Sequence, residues 1–255
     1  MIDADSQLIA IIPARLHSVR FPGKVLANET GRPLIRHVYD AARAAPGISR
    51  VVVAADDERV AEAVGAFGGE CVLTSPSHEN GTARIAEACD LLGLPKPAIV
   101  VNVQGDEPEL EPALIRAAID AIRKSGAPVA TVAVPFGSGE DPANPNIVKV
   151  VRRIDGTALY FSRSRIPVDR DGGAPSEARP LRHIGLYVYR REFLSRYAAL
   201  TPTPLEQAER LEQLRILEHG FPIAVALCTN AGGPGIDTPE QYRDFVQRWR
   251  ARQPA

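Results

Sequence analysis

Sulfur is scarce in this chain, with three cysteines and one methionine in 255 residues. Cys71, Cys89 and Cys228 are odd in number, widely spaced and form no C-x-x-C pair. That excludes a disulfide framework and argues against a metal or dithiol redox centre, so the cysteines are expected to be reduced and buried. Charge of one sign is missing as well. A net charge of −1 argues against a general nucleic-acid or membrane-surface binder, and any anion site must be local. No apolar run approaches the roughly 20 residues of a bilayer span. The opening "MIDADSQ" is acidic and lacks the basic and apolar regions of a signal peptide, so a cytoplasmic location is expected. The low aromatic share, 5%, and the apolar share, 45%, are those of an ordinary globular protein. No internal repeat and no linker composition stand out, and one domain over 1–255 is the simplest organisation.

Two nucleotide-binding signatures are also absent. No G-x-G-x-x-G follows the first apolar run, and "GKV" at 23–25 lacks the Ser or Thr after Lys and the earlier Gly of a P-loop.

What is there is alternation. "LIAII" (8–12), "RVVVAA" (50–55), "AIVVNV" (98–103) and "VATVAV" (129–134) read as strands, some of them apolar throughout, as strands covered on both faces must be. Segments 33–45, 57–67, 81–92 and 112–124 carry apolar residues at three- and four-residue spacing, the period of a helix lying on a sheet. The pattern predicts an α/β fold, a mostly parallel sheet flanked by helices. Segments 146–153 and 157–163 flank a hairpin-like "IDG", 169–180 is a Gly/Pro-rich polar loop, and 183–190 alternates like a strand. This mid-chain region, about 146–190, is expected to be an antiparallel elaboration. The spacing predicts a helix over 203–220 with Thr203 as N-cap and Pro204 in its first turn, a strand over 222–228, and a capped final helix over 237–251.

Ligands of such sheets bind beyond the carboxyl ends of the strands. Directly after the first strand, "IIPARLHSVRFPGKVLA" (11–27) packs Arg15, Arg20 and Lys24 beside Pro22 and Gly23. Two guanidiniums and one ammonium suit phosphate oxygens, and Gly23 would permit close backbone approach. A solvated basic face is the alternative. "NVQGDEP" (102–108) puts acids just past a buried strand, where Asp106 can ligate a hard cation or where Asp106 or Glu107 can cap a helix. Asp237 in "GIDTPE" leaves the same choice open, because "DTPE" is a good capping box.

In the blocks "IIPAR", "PGK", "VNVQGDEP", "NPN-VKVV", "ALYFSR", "LRHIGLYVYR", "PLE-AE-LEQLR" and "G-DTPE", in this order over essentially the whole length, the chain resembles the 3-deoxy-manno-octulosonate cytidylyltransferase family, the CMP-Kdo synthetases. The resemblance implies a nucleotide-diphospho-sugar-transferase-like, Rossmann-type fold. It also implies Mg²⁺-dependent transfer of CMP from CTP to the 2-hydroxyl of 3-deoxy-manno-octulosonate (Kdo), with release of pyrophosphate, for lipopolysaccharide biosynthesis. Residue by residue, it implies that Arg15, Ser18, Arg20 and Lys24 cradle the triphosphate and that Gln104 and Arg84 serve the nucleotide. Asp106 and Asp237 become the Mg²⁺ carboxylates, and with Arg15 and Lys24 the catalytic set. Arg163, His183, Tyr187, Glu212 and Gln213 fall at sugar-side positions. On their own residues, His183 and Tyr187 also read as structural, and Glu212 and Gln213 as a solvated helix face. A homodimer formed through about 146–190 is implied too, with neither nucleic acid nor membrane as partner.

The pattern departs from the family's H-x-S-G-T-Asp/Glu-R at "HENGTAR" (78–84), where Asn80 replaces Ser and Ala83 replaces the acid, and Val168 stands where the family has Trp. The lost acid is expected to deprive Arg84 of a charge partner. These changes leave open the same chemistry on 8-amino-Kdo or a nonulosonic acid. A non-catalytic binding relative is disfavoured by the presence of Lys24, Asp106 and Asp237.

Overall fold

The computed structural model describes residues 7–78 and 80–253. Residues 1–6 of "MIDADSQ" and Glu79 of "HENGTAR" lie outside them. In chain order the elements are β1 (Leu8–Ala14), α1 (Leu34–Arg43), β2 (Arg50–Ala55), α2 (Glu58–Ala66), β3 (Glu70–Leu73), α3 (Gly81–Leu91), β4 (Ile99–Asn102), α4 (Pro112–Ser125), β5 (Val129–Pro135), β6 (Lys149–Arg152), β7 (Ala158–Ser162), β8 (Leu181–Arg190), α5 (Arg191–Tyr197), α6 (Pro204–Glu209), α7 (Gln213–Glu218), β9 (Ile223–Leu227) and α8 (Pro239–Ala251).

The strands join in one sheet of order β3-β2-β1-β4-β8-β5-β9, with β6 and β7 branching from β8. β1 pairs in parallel with β2 and β4, and β5 with β9, whereas β8 runs antiparallel between β4 and β5. The expected mostly parallel sheet with a mid-chain antiparallel elaboration is therefore present.

Strand periodicity explains why β1 is apolar throughout. Leu8, Ala10 and Ile12 join the core under α1, α2 and α4, while Ile9 and Ile11 join a second core under α3, α5 and α7. Local chemistry fixes the helix starts. The Asp57 carboxylate accepts from Arg59 N at the head of α2, and Asn80 Oδ1 accepts from Ala83 N at 2.8 Å at the head of α3. Asn80 thus performs the capping task open to the Ser it replaces.

The segment 203–220 is not one helix. α6 ends where Arg210 takes a left-handed backbone, φ 54°, and α7 starts afresh at Gln213. The Arg215 guanidinium grips the Glu206 carboxylate with two bonds of 2.7 Å across nine positions, folding α7 back along α6. Two elements carry no clear sequence signal. β3 is a short edge strand with no buried apolar run, and α5 follows β8 without a breaker residue. Among the described residues no helix is long and apolar enough to cross a membrane.

Candidate active site

The carboxyl ends of β1 and β4 open onto two adjoining cavities, of 630 Å³ and 440 Å³, that share Arg20, Gly81, Gln104 and Asp106. The smaller is walled by the loop after β1, including Arg15, Ser18 and Lys24. The larger holds Arg163, His183, Tyr187, Glu212, Gln213 and Asp237. Every candidate from the sequence except Arg84 lines one of these spaces.

Lys24 sits at the junction. Gly23, at φ 70°, turns the chain into a one-turn 3-10 helix that starts at Lys24. Apart from its chain neighbours, no protein atom among the described residues lies within 4 Å of where its Cβ would stand, so the space beside Gly23 is open. Lys24 is 8% exposed and donates from Nζ to Asp106 Oδ2 at 2.6 Å, to the Ile236 carbonyl at 2.9 Å and to Asp237 Oδ1 at 3.4 Å. Arg20 reaches the same Asp237 oxygen at 2.8 Å from its exposed position. Arg15 donates to the His78 carbonyl, which ties the cation loop to the start of the "HENGTAR" stretch.

Neither aspartate caps a helix. Glu111 is the N-cap of α4, and Thr238 is the N-cap of α8, sharing a capping box with Gln241. Both carboxylates are left to the cavity, where they converge on one ammonium although 131 positions (237 − 106) separate them in the chain. Glu107 adds a third acid behind them. Burial first, and the neighbouring Asp106 charge second, push its pKa up to about 7.

The larger cavity is floored by phenols and amides from β4 and β8. In register, Asn102 pairs with Tyr187, which also pairs with Thr131 of β5. His183 Nε2 lies 2.9 Å from Thr131 Oγ1, whose hydroxyl is 2.8 Å from the Leu186 carbonyl. Thr131 can therefore accept from the imidazole and donate to the carbonyl. Burial pushes the His183 pKa down to about 3, so the ring is neutral. Thr82 donates to Glu212 Oε2 at 3.3 Å, and withdrawal from bulk water raises the Glu212 pKa. Buried Asn102 Oδ1, Tyr187 OH and Tyr197 OH have no hydrogen-bond partner among the described residues, although such groups are normally paired. They are ready to bond a polar ligand. The Arg163 guanidinium donates to the carbonyls of Glu209, Pro145 and Arg210, and so braces the cavity rim.

Arg84 departs from expectation. It is fully buried and lines neither cavity. Its Nη1 donates to Thr74 Oγ1 at 2.7 Å, and Nη2 stands 3.7 Å from Asp56 Oδ2. The charge partner is thus Asp56, just past the carboxyl end of β2, while the buried Nε and Nη2 of Arg84 make no hydrogen bond among the described residues. The other Asp56 oxygen accepts from Leu16 N at 2.9 Å, so the pair braces the cation loop from below. Sequence reasoning gives no site role to Asp56, Asn102, Tyr189 or Arg210, and reads Thr82 only as a kept position of "HENGTAR". Asn102 and Tyr189 nevertheless stand in the blocks "VNVQGDEP" and "LRHIGLYVYR", whereas nothing local marks Asp56 or Arg210.

A mostly parallel α/β sheet with cations and paired aspartates at its strand ends defines a nucleotidyltransferase. A family model described as Cytidylyltransferase matches residues 9–224, and the chain belongs to that family. It is 48% identical over 234 residues to the 3-deoxy-manno-octulosonate cytidylyltransferase of Vibrio vulnificus (strain YJ016), covering 90% of this chain and 93% of the relative. The enzyme of the same name from Vibrio cholerae serotype O1 (strain M66-2) is 49% identical over 242 residues, 93% of this chain and 95% of that one. Among solved structures, a CMP:2-keto-3-deoxy-manno-octonic acid synthetase complexed with CTP superposes with a TM-score of 0.90 at 39% identity, covering 97% of this chain and all of the other. A cytidylyltransferase from Leptospira borgpetersenii serovar Hardjo-bovis (strain JB197) shares the fold at TM-score 0.62 and 14% identity, with 98% and 89% covered. The family resemblance and the fold class read from the motifs are borne out.

Proposed function

We propose that the chain transfers CMP from CTP to the anomeric 2-hydroxyl of Kdo, releasing pyrophosphate, in service of lipopolysaccharide assembly. The observation that carries this reading is the convergence of Lys24, Asp106 and Asp237 where a cation-lined cavity meets a larger polar one. The names of the relatives supply the substrates.

In this reading Arg15, Ser18, Arg20 and Lys24 bind the triphosphate, and Gln104 the nucleotide. Arg84 acts beneath them through Asp56. His183, Tyr187, Glu212 and Gln213 bond the sugar, while Arg163 and Arg210 set positive charge at the rim for its carboxylate. Little covalent work falls to the protein, so placement and charge stabilisation dominate.

The donor set fits Mg²⁺. Two carboxylates converge on one cationic point, and Mg²⁺ takes one or two protein carboxylates together with substrate phosphates. Held by Asp106 and Asp237, the ion would neutralise charge at the α-phosphate and lower the pKa of the sugar hydroxyl. The same reading places the enzyme in the cytoplasm as a homodimer joined through about 146–190, where Ile154, Leu159 and Val168 expose apolar surface beside a 970 Å³ groove.

Pyrophosphate release with CTP, Mg²⁺ and Kdo tests the reading, run beside 8-amino-Kdo and beside UTP, with Asp106→Ala as control. Turnover with CTP and Kdo that vanishes in the variant supports it. Release only with another sugar or nucleotide moves the substrate, and silence throughout refutes catalysis.

A further inference from the structure

Outside both cavities, a buried acid links the two segments that carry Asp106 and Asp237. Glu109 follows Asp106 by three positions, and its side chain is 5% exposed. Arg248, in the last turns of α8, donates to Glu109 Oε2 from Nη2 at 2.6 Å and from Nε at 3.0 Å. Arg252 lies 2.9 Å from the other oxygen.

The loop leading to Asp237 is moulded to the same acid. Gly233 N donates to the Glu109 carbonyl at 3.2 Å. A Cβ on Gly232 would lie 2.5 Å from that carbonyl, and one on Gly233 would lie 2.4 Å from Glu109 Oε2. Gly232 also holds φ at 75°, so two glycines in succession are needed for this loop to lie flat on Glu109. Beyond them Ile236 N donates to the Asp106 carbonyl at 2.8 Å. Asp237 then leads directly into α8, which returns Arg248 to Glu109.

The contacts form a closed circuit: Asp106, Glu109, Arg248, α8, Asp237 and back to Asp106. The Lys24 ammonium lies between the two carboxylates and offsets their repulsion from the cavity side, while the clasp on Glu109 ties together, from the far side, the two backbone segments that carry them. Outer partners that orient ligating carboxylates typically contribute 10–100-fold to metal affinity.

We propose that Glu109, clasped by Arg248 and Arg252, is a positioning residue that sets the spacing of Asp106 and Asp237 and thereby the affinity of the site for a divalent cation. The inference rests on the reading that those two aspartates hold the ion. Glu109 touches neither substrate nor cation.

The test compares full-length wild type with Glu109→Gln, Arg248→Met and the conservative Arg248→Lys. Mn²⁺ binding in the presence of CTP is followed by electron paramagnetic resonance, and the Mg²⁺ dependence of pyrophosphate release is measured with CTP and Kdo. Expected is a roughly 10-fold or greater loss of Mn²⁺ affinity in Glu109→Gln and Arg248→Met, with partial rescue in Arg248→Lys. The half-saturating Mg²⁺ concentration rises in parallel, while kcat at saturating Mg²⁺ and the KM for Kdo stay near wild type. A lowered Tm with unchanged Mn²⁺ affinity and Mg²⁺ dependence overturns the proposal, because the clasp is then only structural. Wild type that binds no Mn²⁺ overturns it too. Wild type that binds Mn²⁺ but releases no pyrophosphate defeats the proposed reaction alone, and the Mn²⁺ comparison still judges the clasp. Should Glu109→Gln fail to fold, the Arg248 variants carry the comparison, since Arg248 is one-third exposed.

Discussion

Lys24 donates to Asp106 at 2.6 Å, joining the loop after the first strand to the loop after the fourth. The ammonium is nearly buried and also meets Asp237 and the Ile236 carbonyl, so it draws both acids to one place and sets a positive charge at the junction of the two cavities. Lys24→Met removes that charge while keeping the stem. On the order of a 10²–10³-fold loss in kcat/KM for CTP is expected, the scale for deleting one transition-state donor. Lys24→Arg does not restore it, because a planar fork cannot replace a point charge surrounded by three acceptors. Steady-state kinetics on the two variants decides the matter.

Arg84 predicts a different outcome. It lies beneath the cavities, with Asp56 as its charge partner. Removing one member of a buried pair leaves the other uncompensated, at a cost of roughly 3–5 kcal/mol. Arg84→Met should therefore lower stability to urea by that order. Where protein remains folded, the KM for CTP should change far less than in Lys24→Met. A large KM effect with intact stability would contradict the placement.

The contrast between these two residues shows where sequence reasoning succeeds. Lys24 was legible because a loop after an apolar strand announces its own position, and Pro-Gly-Lys is a local signal. The family pattern at "HENGTAR" gives Arg84 to the nucleotide, and nothing local corrects that, since its partner Asp56 lies 28 positions (84 − 56) away and shares no motif with it. The same physics governs the fold. Strands β1, β2, β4 and β5 declare themselves as apolar runs buried on both faces. The antiparallel insertion of β8 between β4 and β5 depends on long-range pairing that no local spacing encodes. The break at Arg210 is hidden for a similar reason. Its cause is the Glu206–Arg215 pairing and the burial of Leu211, with no Gly or Pro to mark it.

His37 supplies a pH dependence away from the site. It is buried against Phe245 and Trp249, with Nε2 2.8 Å from Thr30 Oγ1. Burial, reinforced by Arg32 and opposed by Asp40, pushes its pKa from 6.5 down to about 4. The unfolded chain therefore binds the proton more readily, so stability from the neutral ring is full above pH 6.5 and is lost as pH falls towards 4. The contribution is on the order of 1 kcal/mol, or roughly 2–4 °C in Tm for a chain of this size. Thermal melts at pH 7 and pH 4.5 should diverge less in His37→Gln than in wild type. An equal divergence would place the titration elsewhere.

Arg210 holds the left-handed backbone that glycine adopts freely, and it does so on the rim of the larger cavity. For a residue with a Cβ this conformation costs roughly 1–2 kcal/mol. Its carbonyl accepts from Arg163, so the turn is held in place from across the rim, and its own guanidinium is exposed. Strain of this sort persists at ligand sites where the side chain contributes to binding. Two substitutions separate the backbone from the charge. Arg210→Gly relieves the strain and removes the cation, so it should raise stability, by about 1 kcal/mol at most, while raising the KM for the sugar acid. Arg210→Ala removes the cation but keeps the strain, so it should raise the same KM with no gain in stability. If neither variant shifts the KM for the sugar acid, Arg210 shapes the α6–α7 turn alone, and the carboxylate must find its positive charge in another arginine of the cavity, Arg163, Arg182 or Arg20.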